Sequence, residues 1–209
     1  MAKPVLIMGK SGAGKSASLR NFSPDEVDII NVLGKELPFR NQFTNIFETD
    51  DYALVDKAIE KSKKKVVVID DAGYLITNMF MRGHGATGGG NSVFALYNQM
   101  ADNFWLLIDH IKHIDDPNKI VYIIMHEEQN DVGAIKPKTI GKLLDEKVCI
   151  EGLFTIVLRA EKSGERYVFK TRTNGLDVTK TPIGMFEDEE VDNDLKEIDR
   201  TIREYYGMQ

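Results

Sequence analysis

The chain lacks several features that would each point to a particular class of protein. It has one cysteine, Cys149, in 209 residues, which excludes an intramolecular disulfide framework and a metal site built on several cysteines. No apolar run approaches the ~20 residues that cross a bilayer. Met1 leads directly into an apolar stretch, so we expect no signal peptide, no membrane partner and a reducing, cytoplasmic location. The apolar neighbours of Cys149 predict a buried structural thiol.

An excess of positive charge is also missing. The net charge of −6 argues against a surface that attracts nucleic acid uniformly. Six acidic side chains, however, fall within the eight residues 187–194, so the rest of the chain is close to neutral and has room for local basic loops. The hydrophobic content of 42% is enough for one well-packed core.

The most informative stretch is the glycine-rich segment of residues 9–16, GKSGAGKS, which matches the P-loop pattern G-x-x-x-x-G-K-[ST] at every fixed position. Residues 5–8 before it predict a buried strand, and residues 17–20 after it predict the start of a helix. A glycine-rich turn between a strand and a helix directs several backbone N–H groups at one point, which is where phosphate binds. The predicted nucleotide-binding residues are Gly9, Lys10, Ser11, Gly12, Ala13, Gly14, Lys15, Ser16 and Ser18.

Two of these side chains have specific expected roles. Lys15 is expected to reach the β- and γ-phosphates as a positive charge, and the Ser16 hydroxyl is expected to bind Mg²⁺. A second motif supplies a carboxylate for the same ion: residues 65–71, KVVVIDD, form an apolar strand that ends in two acids, which is a Walker B pattern. Asp70 is the expected magnesium partner of Ser16.

Three further polar residues are candidates for the chemistry, each with an alternative interpretation. Asp71 is suited to polarise the attacking water, or else to cap the helix that follows it. Glu36 is the rival catalytic base, or else a solvated loop acid. His126 ends an apolar strand, where it is suited to sense the γ-phosphate, or else serves only as the polar end of the strand.

Short apolar runs alternate with helical patterns, which predicts an α/β fold with a mainly parallel sheet between helices and a C-terminal antiparallel hairpin. We expect a core at residues 1–187 and an acidic amphipathic C-terminal helix within residues 188–209. The predicted strands cover residues 5–8, 27–33, 66–69, 120–125, 154–158 and 167–171. The predicted helices cover residues 51–62, 93–114 and 189–206.

Two regions have the composition of mobile binding loops. Residues 82–91 hold five glycines and Arg82, and residues 127–142 hold Lys136, Lys138 and Lys142 next to two glycines. Glycine-rich segments of this kind do not pack into a core. Both regions follow strands of the predicted sheet at the edge where the nucleotide is expected, so we expect them to become ordered when a ligand binds.

The order of these motifs resembles the RecA-like recombinase core. The resemblance is closer to the small phage-encoded RecA-like ATPases of the AAA/ASCE class that accompany single-strand annealing and single-strand-binding proteins. It covers about residues 1–187, and residues 31–40, 135–142 and 173–186 carry it beyond the P-loop. It implies a RecA-like P-loop NTPase that binds ATP and Mg²⁺ and couples hydrolysis to single-stranded DNA.

The resemblance also implies a homo-oligomer, either a ring or a filament, and a single-strand-binding or annealing protein as a partner. A neighbouring subunit would then supply a cation to the γ-phosphate. The candidates for that trans-acting cation are Lys136, Lys138, Lys142, Arg172 and Lys180. The candidates for DNA contacts are Arg82, Lys136, Lys138 and Lys142. Because neither loop contains an aromatic residue, we expect modest, salt-sensitive and sequence-independent DNA binding, or else engagement of DNA through a partner protein.

Two alternatives remain open from the sequence. One is a nucleoside or nucleotide kinase, although no arginine-rich lid is evident. The other is an ATP-gated assembly switch that does not turn over nucleotide efficiently.

Overall fold

The computed structural model describes residues 1–44, 46–86, 91–141 and 143–209 of the chain. Within those ranges lie nine strands and four α-helices. The strands are β1 (Lys3–Gly9), β2 (Val27–Asn31), β3 (Ile46–Glu48), β4 (Val66–Asp70), β5 (Ile120–Gln129), β6 (Ile135–Pro137), β7 (Ile156–Ser163), β8 (Arg166–Lys170) and β9 (Glu190–Asp192). The helices are α1 (Tyr52–Lys61), α2 (Gly73–Gly83), α3 (Asn91–His113) and α4 (Leu195–Tyr206). Short 3-10 helices cover Ser16–Asn21, His84–Ala86 and Ile150–Leu153, and a π-helical segment covers Leu143–Val148.

One sheet forms the centre of the molecule, with the strand order β3-β2-β4-β5-β1-β7-β8-β9. The six strands from β3 to β7 in this order run parallel, whereas β7, β8 and β9 pair antiparallel. The predicted mixed α/β fold, with a mainly parallel sheet and an antiparallel hairpin towards the C-terminus, is confirmed. The central strands are apolar throughout because both faces of a covered parallel sheet are buried.

The two faces of the sheet bury alternate residues of each strand. On β1, Leu6 and Met8 pack on the side of α1, α2 and α3, while Val5 and Ile7 pack on the side of the first 3-10 helix and α4. This alternation follows from the two-residue period of a strand. Among the described residues, no helix combines the length and apolar composition needed to cross a bilayer.

The register of the parallel strands brings their carboxyl ends to one edge. Gly9, at the end of β1, lies beside His126 of β5, and Ile69 of β4 lies beside Ile123 of β5. The P-loop after β1, Asp71 after β4 and His126 of β5 therefore lie at nearly the same level of the sheet. In an open α/β sheet this edge is where ligands bind.

The helix expected to start at residues 17–20 is a 3-10 helix, Ser16–Asn21, that ends where Phe22 becomes extended. Pro24 lies just beyond this end and disfavours helical geometry in the residue before it, Ser23, so the helix does not resume there.

The C-terminal helix begins later than predicted, at Leu195 instead of residue 189. Residues Glu190–Asp192 instead form β9, which adds to the free edge of β8. Asp194 then caps α4 by accepting a hydrogen bond from the Lys196 N–H, as N-terminal caps commonly do. The acidic segment thus belongs partly to the sheet and partly to the start of the helix.

The apolar stripe of α4 packs on the core. Leu195, Ile198 and Ile202 are buried against the sheet. Beneath the helix the Tyr122 hydroxyl donates to Asp199 over 2.8 Å, and Arg203 donates to the same carboxylate over 2.6 Å. Burial raises the pKa of Asp199, and the hydrogen bond from Arg203 opposes that rise.

The two predicted loops are more regular than their composition suggests. In the first, residues 82–86 continue α2 and then form a 3-10 turn, so the prediction of an open loop is wrong there; residues 87–90 lie outside the described residues. In the second, β5 runs past His126 and pairs antiparallel with β6 through Glu128 and Lys136. The glycines of this region, Gly133 and Gly141, lie outside these two strands, in the turn between them and after β6.

Cys149 is exposed, so the prediction of a buried thiol is wrong. The residue takes a left-handed conformation, with φ of 52°, between the π-helical segment and the next 3-10 helix. That turn lets its apolar neighbour Ile150 enter the core while the thiol stays outside.

We expect Ile198→Ala to lower the free energy of unfolding by about 2–5 kcal/mol, because it leaves a cavity between α4 and the sheet. Chemical denaturation with circular dichroism measures this change. The matched control is Arg200→Ala on the exposed face of α4, whose ion pairs with Glu197 and Glu204 lie in solvent. A midpoint that falls as far in the control as in Ile198→Ala would contradict the packing of α4 described above.

Candidate functional site

The P-loop leaves β1 at Gly9 and turns twice through glycine. Gly12 and Gly14 have φ of 77° and 91°, which side-chain-bearing residues rarely adopt. Gly9 is required for a different reason: a Cβ there would lie 2.5 Å from the backbone oxygen of Ala160 on β7. Two of the three glycines thus set the loop conformation, and Gly9 sets the close packing of β1 on β7.

The Lys15 side chain folds back across the loop. It is 6% exposed, and its Nζ donates to the backbone oxygens of Gly9 over 2.9 Å and Lys10 over 2.8 Å. Burial lowers the pKa of Lys15, and the negative charges of Asp71 and Asp70 oppose that change. An ammonium group has three N–H donors, so two hold the side chain in place and the third is suited to a phosphate oxygen.

Ser16 and Asp70 join the P-loop to β4. The Ser16 hydroxyl donates to the Asp70 carboxylate over 2.9 Å, and Asp70 is buried. Burial raises the pKa of Asp70 to about 6, and the adjacent charge of Asp71 adds to the rise. A hydroxyl and a carboxylate are oxygen ligands of the kind Mg²⁺ takes, and a cation would offset the cost of burying Asp70. These two residues therefore fit a magnesium ion.

Asp71 projects into the same cleft from a left-handed backbone conformation, with φ of 58°. Its carboxylate lies 2.6 Å from Lys35 Nζ and 3.4 Å from His126 Nε2. Burial acts to raise the pKa of Asp71, but the hydrogen bonds from His126 and Lys35 outweigh it and hold the pKa at about 2. Helix α2 begins at Gly73 with Ala72 in the capping position and no side-chain cap, so Asp71 does not cap it. Such strain in a non-glycine residue is typical of functional sites.

His126 lies within β5, level with Gly9 at the end of β1 and just before the part of β5 that pairs with β6. Besides Asp71, it contacts the Tyr74 ring edge-on at 5.9 Å between ring centres. Its backbone oxygen accepts a hydrogen bond from the N–H of Lys138, which follows β6. His126 thus contacts the cleft through its side chain and the β5–β6 hairpin through its backbone.

A cleft of about 710 Å³ lies over the P-loop. The predicted residues that it brings together include Lys15, Ser16, Asp71 and His126. Its lining also includes residues that the sequence did not single out: Ala17, Arg20, Lys35, Pro38, Arg166, Tyr167, Asp192, Asn193 and Asp194.

Two predicted site residues lie elsewhere. Glu36 is exposed and lines a separate depression with Asn31, Gly34 and Arg40. Ser18 is fully buried, and its hydroxyl donates to the Lys15 backbone oxygen over 2.6 Å, which holds the 3-10 turn. Lys35, which precedes Glu36, is the charged residue of this loop that lines the cleft. Its charge, opposite to that of Asp71, is the one signal in the sequence that favoured it.

The predicted cations are distributed over several surfaces. Arg172 donates to the backbone oxygens of Phe186 and Glu187, and Arg82 pairs with Asp50. Lys136 lies 3.4 Å from Glu128 on the β5–β6 hairpin, and Lys138 is exposed. Lys180 pairs through its backbone with Val157, and Lys142 lies outside the described residues.

A buried ion pair beside the P-loop strand was not predicted. Arg159 of β7 makes two hydrogen bonds, of 2.7 and 3.0 Å, to Glu127 of β5, across the end of β1. Glu127 also raises the pKa of Lys15 through its charge, as a minor effect beside burial. Nothing local in the sequence indicates this pair, because its partners are 32 residues apart.

The fold and the cleft are those of a P-loop nucleoside triphosphatase. Comparison with protein-family models agrees: the model described as AAA domain matches residues 1–183. The chain belongs to the AAA domain family, which indicates nucleotide binding and hydrolysis. A search of curated proteins found no match.

We expect Lys35→Ala to reduce nucleotide turnover about 10- to 100-fold while nucleotide binding persists, because the Asp71 carboxylate loses the ammonium group that positions it. Phosphate release at saturating nucleotide measures turnover. The neighbouring variant Glu36→Ala serves as the control and should retain turnover. If Glu36→Ala is the impaired variant and Lys35→Ala is not, the assignment of Lys35 rather than Glu36 to the nucleotide site is wrong.

Proposed function

We propose that this protein is a Mg²⁺-dependent ATPase of the RecA-like type that couples hydrolysis to the handling of single-stranded DNA in phage recombination or replication. The observation that supports the coupling best is the series of contacts from Asp71 through His126 to the β5–β6 hairpin. Membership of the AAA domain family supports the nucleotide chemistry.

At the phosphate end, Lys15 would direct its third N–H toward the β- and γ-phosphates, and Ser16 and Asp70 would hold a magnesium ion. When bound, that ion neutralises charge on the β- and γ-phosphates. Asp71 stays ionised at neutral pH, since its pKa is about 2. It therefore orients the attacking water by accepting a hydrogen bond, and the Lys35 ammonium keeps the carboxylate in position.

Coupling to DNA follows from the course of β5. The strand carries His126 at the cleft and continues directly into the hairpin that bears Lys136 and Lys138. The hydrogen bond from the Lys138 N–H to the His126 oxygen, at 2.8 Å, ties both hairpin strands to that residue. A shift of His126 when the γ-phosphate leaves would move the hairpin as one unit.

The DNA contact is expected to be electrostatic. Arg82, Lys136 and Lys138 are the candidate cations, and the net charge of −6 keeps the overall attraction weak. If three phosphates are contacted, log affinity should fall with log salt at a slope of about −2. A single-strand-binding or annealing protein would add to this modest affinity.

The same proposal includes a second copy of the chain, which would complete the nucleotide site by supplying a cation. A single P-loop subunit hydrolyses slowly when no added cation stabilises the charge on the γ-phosphate. In a ring or filament, Lys138 or Lys180 of a neighbour could supply it. Arg172 is the weaker candidate because its guanidinium is bonded to its own chain at Phe186 and Glu187.

The test is ATP hydrolysis with and without single-stranded DNA, at several salt concentrations, with and without the cognate single-strand-binding protein. We expect DNA to stimulate turnover, and we expect Lys138→Ala to lose that stimulation. Lys57→Ala, an exposed lysine on α1, is the matched control and should behave like the unaltered protein. Turnover that no form of single-stranded DNA changes would overturn the coupling, and transfer of phosphate to nucleosides would instead support a kinase.

A further inference from the structure

The cleft extends well beyond the residues that would hold phosphate and magnesium. Asp71, which follows β4, and His126 of β5 lie on one side of β1. Arg166 and Tyr167 of β8, and Asn193 just after β9, also line the cleft from the other side. The structure thus leaves a second half of the cleft without a role in the chemistry described so far.

The direction in which a nucleotide would lie in the cleft assigns a role to this second half. Ser16 and Asp70 would hold a magnesium ion, which P-loop enzymes use to neutralise the β- and γ-phosphates, so a bound nucleotide would place its γ-phosphate toward Asp70 and Asp71. The α-phosphate, ribose and base would then extend in the opposite direction, across Gly14 toward β8 and β9. The residues met there determine which base fits.

Among the described residues that line this half of the cleft, Asn193 is the one whose buried side-chain polar atoms lack hydrogen-bond partners. It is 2% exposed, and both atoms of its side-chain amide are buried without a partner among the described residues. The amide oxygen and nitrogen lie 3.1 and 3.2 Å from the point where a Cβ on Gly14 would stand. Buried polar groups in proteins are rarely left unpaired, because each loses its bonds to water. An amide in this condition beside a P-loop glycine points to a ligand.

The backbone around Asn193 is held firmly, so the amide is presented in a fixed place. Its backbone oxygen accepts a hydrogen bond of 2.5 Å from Arg20, and its N–H donates to Tyr167 over 3.2 Å. Asn21 also bonds to the Asp194 carboxylate over 2.6 Å. These bonds fasten the segment between β9 and α4 to the 3-10 helix that follows the P-loop.

Tyr167 covers the same place with a flat surface. Its ring approaches within 3.1 Å of the Cβ point of Gly14, and the residue is 47% exposed. An aromatic ring with an open face offers a stacking surface to any base. Because the amide of Asn193 is covered in this structure, a base reaches it after the Tyr167 ring turns toward solvent.

We propose that Asn193 and Tyr167 form a nucleobase subsite that selects adenine. An amide presents one donor and one acceptor, which match the N7 acceptor and N6 amino donor of adenine, whereas guanine presents two acceptors at the same positions. Tyr167 stacks on the base and Asn193 reads its edge. This inference rests on the proposed nucleotide function, since it names the residues that decide which nucleotide that site takes.

The test compares the Mg²⁺ complexes of ATP, GTP and inorganic tripolyphosphate by calorimetry. Tripolyphosphate occupies only the P-loop, so it separates effects on the loop from effects on the base. The unaltered protein should bind ATP about 10-fold or more tightly than GTP. Asn193→Leu should abolish that preference and leave tripolyphosphate binding unchanged, and Asn98→Leu, at an exposed asparagine of α3, should retain the preference.

A second pair of variants at the half-exposed Tyr167 keeps the test valid if Asn193→Leu does not fold. Tyr167→Phe should bind like the unaltered protein, and Tyr167→Ala should lose about 5-fold or more in affinity for ATP and GTP alike. Equal losses for ATP and tripolyphosphate, or no preference for ATP in the unaltered protein, would overturn the subsite. Failure of the unaltered protein to bind tripolyphosphate at all would instead contradict the proposed nucleotide function.

Discussion

The hydrogen bond between Ser16 and Asp70 is the interaction on which the rest of the site depends. It joins the end of the P-loop to the end of β4, although β5 separates β1 from β4 in the sheet. Parallel pairing in register makes this possible, because it brings the carboxyl ends of β1 and β4 to nearly the same level of the sheet, beside β5. With Asp70 held there, Asp71 is turned by its left-handed conformation toward Lys35 and His126.

The parts of this site that are local in the chain could be predicted from the sequence. The P-loop pattern, the apolar strand before Asp70 and the polar end of β5 at His126 each depend on neighbouring residues. The parts that arise from tertiary contacts could not. Which of Lys35 and Glu36 faces the cleft depends on the turn at Gly34, which has φ of 63°. The Arg159–Glu127 pair likewise depends on strands distant in sequence.

The acidic C-terminal segment is the clearest case in which a tertiary contact overrides a local sequence pattern. Its apolar spacing predicted one long helix, but the free edge of β8 draws Glu190–Asp192 into the sheet. The match to the AAA domain family ends at residue 183, whereas β9 and α4 lie beyond it and complete both the sheet and its covering layer. Because Asn193 follows β9, this same pairing places its amide against the P-loop.

In the function proposed for this protein, Ser16 and Asp70 make the cleft a magnesium-dependent nucleotide site. The most direct test is calorimetric titration of the unaltered protein with a non-hydrolysable ATP analogue, in excess Mg²⁺ and again in excess chelator. We predict that affinity is about 10- to 100-fold higher with Mg²⁺, and that Asp70→Asn removes this difference, in line with the effect of losing a metal-site residue. Equal affinity with and without the ion, in a protein that binds the analogue, would contradict the assignment of Ser16 and Asp70 as a magnesium site.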